Sequence, residues 1–347
     1  MHIDALMANS AKIAHLILLA VFAAIFSFAA SADPAGEFYK GKTVRIVNWS
    51  SPGGEYDLHG RLLARYLGRH LPGEPTVIQE YMTGAGGIVA ANYMSNLAPR
   101  DGTVLGIMNN GLPLFQTLGA ESTRYDAAKM NWLGAIASAP EIMIAWHTAP
   151  VKSFRDLLSS EFIIGATGRD SASWMVPVTM NALLGTKIKP LLGYKGGGDV
   201  NLAIENGEIM GRLNAWSGMK ATKPDWISER KISVLVQSAL VSAPDLSGVP
   251  LLVGLAKNDD DRAIFRIFAA TAVLGRPLAA TPGVPEERVG VLRAAVAATM
   301  KDPDFIGEAT RQHVEIAPVP GERLEELVGS ILATPKPLVE RLKAIVQ

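Results

Sequence analysis

Three stretches carry most of the chemistry that can be read from the chain: residues 51–57 (Ser-Pro-Gly-Gly-Glu-Tyr-Asp), 83–87 (Thr-Gly-Ala-Gly-Gly) and 167–173 (Thr-Gly-Arg-Asp-Ser-Ala-Ser). Each sets glycine beside small hydroxyl residues, after an apolar run and before a stretch of helical periodicity. Amides left free at a helix N-terminus bind anions through directed hydrogen bonds and the positive end of the helix dipole, together on the order of 1–3 kcal/mol per site. Two such turns facing each other would hold a carboxylate without any arginine. Glycine also serves such turns structurally, because a positive φ costs it little. One turn alone therefore carries no functional weight, whereas three together point to binding.

Other site chemistries are poorly supplied. The six histidines, at 2, 15, 59, 70, 147 and 313, contain no i, i+4 pair, so no zincin-type metal site is expected. There is no Gly-x-Ser-x-Gly elbow and no phosphate loop, and Gly84-x-Gly86 is followed by Val89 where a dinucleotide fingerprint needs Gly or Ala. Cysteine is absent, which removes disulfides, thiolate metal sites and cysteine nucleophiles. The expectation is no catalytic residue, no metal and no cofactor. His59 and His147 are the candidate bases of an alternative, enzymatic reading.

The elements that must position these turns follow from composition and pattern. With 33 Lys+Arg against 33 Asp+Glu, 48% apolar and 19% charged residues over 347, the chain is a globular protein long enough for two domains, without the charge to seek nucleic acid. Lys12, the apolar run 16–26 and Ala30-Ser31-Ala32 read as a cleaved secretory signal peptide over 1–32, or else an uncleaved anchor over 13–30. The mature chain then starts near Asp33 and is periplasmic. Apolar β-branched runs at 44–49, 76–79 and 104–108 predict strands, with a helix at 88–96. A second set predicts strands at 162–166, 190–192, 209–213 and 233–237, and helices at 174–184 and 199–206, with Pro177 tolerable only in a first turn. Helices are predicted at 263–268, 286–300, 323–331 and 338–345. Strands alternating with helices predict parallel α/β sheets, whose strand C-terminal ends carry the ligand-facing loops.

Read in order, Pro52 to Asp57, Thr83 to Gly87, Pro99-Arg100-Asp101-Gly102-Thr103 and Gly193-Tyr194-Lys195-Gly196 resemble the signatures of the Bug (Bordetella uptake gene) receptors. These are the extracytoplasmic solute receptors of tripartite tricarboxylate transporters. The similarity runs from about Phe38 to the C-terminal helices, takes in residues 151–157 and Gly283-Val284-Pro285, and is closest to a divergent branch that shares residues 181–187 and 202–208. It implies an α/β type II periplasmic-binding-protein fold, with two lobes joined by two crossing strands and a ligand cleft between them. Lobe 1 would comprise 33–145 and 270–347 and lobe 2 residues 146–269, with hinges near Ala145 and Ala270. It further implies a monomer that captures a small organic carboxylate and delivers it to tripartite tricarboxylate transporter membrane subunits, with a sensor partner as the alternative.

Carried residue by residue, the resemblance nominates Ser51, Gly53, Gly54, Tyr56 and Asp57 in one jaw, with Ala85 and Gly86 beside them, and Thr167, Gly168 and Ser171 in the other. Asn214 falls where the family often has a polar cleft residue. Asp57 has a rival role as helix N-cap. Glu55 departs from the family's usual glycine, and a carboxylate there would repel an anion. Either it points to solvent, the favoured reading, or the ligand brings a donor or cation to it. Arg169 either pairs with a ligand carboxylate or with its neighbour Asp170 at the surface. Trp49, Trp174 and Trp216 would wall an aromatic or apolar carboxylate, or serve as partial core.

Overall fold

A computed structural model describes residues 34–137 and 140–347; the signal peptide expected at 1–32 lies outside the described residues. After a short helix, α1 (Pro34–Tyr39), the strand–turn–helix units form where the apolar runs predict them: β1 (Thr43–Asn48), α2 (Glu55–Tyr66), β2 (Thr76–Tyr81), α3 (Ile88–Asn96) and β3 (Val104–Ile107). Then come α4 (Leu112–Thr117) and β4 (Asn131–Ala135). The second lobe runs β5 (Glu141–Trp146), β6 (Phe162–Gly165), α5 (Ala172–Leu184), β7 (Ile188–Leu191), α6 (Gly197–Glu205), β8 (Gly211–Ala215), α7 (Trp216–Thr222), α8 (Pro224–Ser228) and β9 (Ile232–Ser238). Helix α9 (Asp259–Val273) leads back to the first lobe, which closes with β10 (Pro277–Ala280), α10 (Glu286–Thr299), α11 (Pro303–Arg311), β11 (Val319–Pro320), α12 (Gly321–Leu332) and α13 (Lys336–Val346).

Two sheets result, ordered β11-β4-β10-β3-β1-β2 and β7-β6-β8-β5-β9. Both are mixed rather than parallel. The strand–turn–helix units pair in parallel, but β10 runs antiparallel to β3 and β4, and β5 antiparallel to β8 and β9. The reason is topological, since β5 and β10 each enter their sheet from the other lobe.

This moves the expected boundary at 145. Strand β5, assigned by sequence to lobe 1, lies inside the second sheet, so the lobes change hands between β4 and β5 and again at 274–276. Ala145 and Ala270 are not hinges: the first is buried within β5 and the second lies inside α9. Helix α13, also assigned to lobe 1, packs on α5 and α9. Pro177 is the sixth residue of α5, beyond the first turn, because that helix starts at Ala172 rather than 174.

One apolar cluster places α2, α10 and α11 over one face of the first sheet, through Leu62, Leu292 and Phe305 among others. A larger one joins the two lobes, drawing Trp132 from the first sheet, Phe162 from the second, and Phe265, Leu324 and Leu342 from α9, α12 and α13. At about 1.5–3 kcal/mol for each fully buried large apolar side chain, this shared core ties the lobes together, and Trp49 carries it to the wall of the cleft.

Candidate functional site

The loop after β1 is set by polar contacts made within the first lobe. Asn48, at the end of β1, donates from Nδ2 to the Tyr56 carbonyl at 2.7 Å and accepts the Ser50 N–H at 3.0 Å. Asp57 is fully buried; its carboxylate accepts the Gly53 N–H at 2.8 Å and the Gln79 amide at 2.9 Å, and pairs with Arg61. Asp57 therefore staples the turn and does not face the cleft. It is not the N-cap either, a position held by Gly54.

Across the cleft the lobes meet through glycine. A Cβ on Gly198 would stand 2.1 Å from the Pro52 carbonyl oxygen, and one on Gly54 would stand 3.3 Å from the Gly197 Cα. At a second contact, a Cβ on Gly168 would come within 2.9 Å of the Gly86 nitrogen. Gly53, Gly54, Ala85, Gly86 and Gly168 thus form the seam where the lobes touch. The cavity itself, about 70 Å³, opens beside this seam.

Of the expected site residues, Glu55, Tyr56, Thr167, Ser171 and Asn214 line that cavity. Ser51 is buried beneath the Gly196 turn instead, its Oγ without a hydrogen-bond partner among the described residues. Arg169 is exposed, stacked on Trp174 with its guanidinium 5.1 Å from the ring centroid, and lines a separate outer cavity. Trp216 is core, with its Nε1 donating to Asp245 at 2.7 Å. Only Trp49 of the three tryptophans reaches the cleft. His59 is buried outside the cavity lining, and His147 is exposed at the far end of β5.

The largest departure is at Glu55. It does not point to solvent: it is 5% exposed, accepts 2.7 Å hydrogen bonds from Arg276 Nε and from Ser217 Oγ on α7, and forms a close ion pair with Arg276. Burial alone would raise its pKa, but Arg276, helped by His59 and Ser217, outweighs that and holds the carboxyl below its usual value. Glu55 is thus a strut between the first lobe, the returning link and the second lobe.

Three charged groups of the cleft were not foreseen. Arg276 stands on the returning link, its guanidinium 4.8 Å from the Tyr56 ring centroid. Glu141 begins β5; burial raises its pKa, against the pull of Arg276. Arg212, on β8, is 6% exposed. Its Nη1 donates to the Gly197 carbonyl at 2.8 Å and to Asn201, and its Nη2 to Asn214 at 3.1 Å. Among the described residues no carboxylate lies within ion-pair distance of it. Burial lowers its pKa to about 10, so it stays charged at neutral pH. Arg212 adjoins the N-terminus of α6, and Ser171, the N-cap residue of α5, lines the same cavity. Both helices direct positive dipole ends toward it.

A signal for these residues is present in the chain. Arg212 and Arg276 are lone charges set among apolar residues, Gly-Arg-Leu and Gly-Arg-Pro-Leu, and such charges are seldom buried without a function.

No family model matches the chain, and a search of curated proteins gives no significant match. Solved structures do resemble it. The periplasmic binding protein BugD superposes with a TM-score of 0.69 at 19% identity, covering 88% of this chain and 98% of its own. MatC from Rhodopseudomonas palustris with bound malate gives 0.67 at 20%, covering 88% and 99%. Rpa4515 from R. palustris with adipate gives 0.68 at 21%, covering 87% and 97%. These structures and a TctC solute binding protein from Polaromonas, all near 20% identical, share with this chain the two-lobed α/β fold of periplasmic binding proteins.

Proposed function

We propose that the chain is a periplasmic solute receptor that closes its two lobes on a small carboxylate and delivers it to a tripartite tricarboxylate-type permease, as the family resemblance implies. The observation that carries the reading is Arg212. A guanidinium this buried, with only neutral oxygens as partners, is costly unless an anion compensates it. It stands at the cleft wall, where the α5 and α6 N-termini add positive potential. The malate and adipate held by two of the structural neighbours agree with an acid as ligand.

The sequence had suggested a carboxylate held by turn amides and hydroxyls, with Arg169 as an alternative partner. The buried arginine changes that reading, since a charge-assisted bond contributes about 1.5–3 kcal/mol beyond what turns supply. Thermal-shift and calorimetric titration against a panel of small organic acids tests it. Saturable stabilisation without turnover is expected, with affinity falling about ten- to a hundredfold in Arg212→Gln and less in Arg212→Lys. A panel that stabilises nothing, or conversion of any acid to product, would overturn the proposal.

A further inference from the structure

The cleft holds two positive and two negative side chains, but only one pair is closed. Arg276 is spent: Nε and Nη2 hold Glu55, and Nη1 donates to the Gly275 carbonyl. Its 3.6 Å approach to Glu141 is too long for a hydrogen bond. Glu141 thus lines the cavity without a hydrogen-bonded cation, held by the Asn110 amide and the charges of Arg276 and Arg212 nearby. Arg212, with three of its four terminal N–H groups directed at neutral oxygens, has one on Nη2 left over.

These two unspent groups stand on adjacent antiparallel strands. Arg212 lies opposite Ile144, three residues along β5 from Glu141, an offset of about 10 Å at 3.3 Å per residue. Both residues line the same cavity, and among the described residues no hydrogen bond or ion pair joins them, although each feels the other's charge. The site therefore offers a cation and an anion separated by a gap.

We propose that the ligand is a small zwitterion, its carboxylate received by Arg212 and its ammonium by Glu141. This rests on the reading of the cleft as a carboxylate site and narrows it. A dicarboxylate would set its second negative charge against Glu141. A monocarboxylate without an amine would compensate Arg212 and leave Glu141 as it is. The cavity volume of about 70 Å³ is room for about five to seven water-sized positions, the scale of an α- or β-amino acid of two or three carbons.

The test is calorimetric titration of the full mature chain with glycine, L-alanine and β-alanine against propionate, lactate and succinate. An amino acid is expected to bind at least about tenfold tighter than propionate, an increment in keeping with one buried charge pair. In Glu141→Gln that preference should shrink to about threefold or less. Glu141→Asp, which keeps the charge, should keep the preference and shows whether the site tolerates change there. Propionate, lactate or succinate binding as tightly as alanine would overturn the zwitterion while leaving the carboxylate reading intact, as would an unchanged preference in Glu141→Gln. Failure of every acid in the panel would overturn both.

Discussion

Glu55 shows how one side chain reverses meaning with its partner. In an anion-binding turn a carboxylate looks repulsive, yet here Arg276 neutralises it and the result is a strut across three parts of the chain. Removing one member of a buried pair leaves the other uncompensated. Glu55→Gly, which restores the residue usual in the resembling family, is therefore expected to cost about 3–5 kcal/mol in chemical denaturation. A loss below about 1 kcal/mol would show that the pair contributes little. His59, one helical turn on, is pushed down to about 4 by burial, with Glu55 opposing and Arg276 assisting. It is neutral when folded, whereas an unfolded histidine titrates near 6.5. The unfolded chain thus binds more protons between those values, and stability drains away as pH falls from about 6.5 to about 4, by on the order of 3 kcal/mol. Glu55 adds to the acid loss only at lower pH, and Glu141, shifted the other way, offsets part of it. Denaturation curves from pH 7 to 4 should show this slope, and His59→Gln should flatten its upper part.

At the scale of elements, closure depends on two glycine turns lying against each other. Gly198 opens α6 and faces the Pro52 carbonyl of the opposite lobe, with no room for a methyl group. Alanine favours the helix by roughly 0.5–1 kcal/mol over glycine, so Gly198→Ala should fold normally yet fail to close. The expected result is an unchanged or slightly raised Tm without ligand, at least about tenfold weaker carboxylate binding, and no ligand-induced compaction in small-angle scattering. Wild-type affinity in this variant would show that the seam does not limit closure. The glycine turns were legible because composition marks them, and the helix at 88–96 because Ile88, Ala91 and Met94, all buried, recur at helical spacing. Strands β4 (Asn-Trp-Leu-Gly-Ala) and β10 (Pro-Leu-Ala-Ala) were not. They are short and lack β-branched residues, and they form strands because the sheets on either side supply partners. The same limit hid Glu141, Arg212 and Arg276, whose meaning depends on which strands become neighbours.

At the scale of the molecule, a receptor that closes must combine a moving cleft with a structure that melts as one body. The chain's balanced charge, 33 against 33, supplies no general attraction for anions, so the positive field is concentrated at Arg212 and the helix ends beside the cleft. The core shared by the two lobes is apolar and continuous. Met108, Trp132 and Ala135 of the first lobe and Met143, Phe162 and Leu235 of the second belong to one buried cluster, tied together by α9, α12 and α13. Helix α13 reaches across to α5 of the second lobe, so neither lobe has its hydrophobic face covered by its own residues alone. Unfolding one lobe would expose part of the other's core, and at about 25 cal/mol per Å² of apolar surface a half-folded molecule pays heavily for that exposure. A single calorimetric transition is therefore expected, with van't Hoff and calorimetric enthalpies in agreement. Bound carboxylate should move the whole transition upward by RT ln(1 + [L]/Kd). Two resolved transitions, or a ligand that shifts only part of the heat, would show that the lobes are independent units and that the shared core is a contact rather than a common foundation.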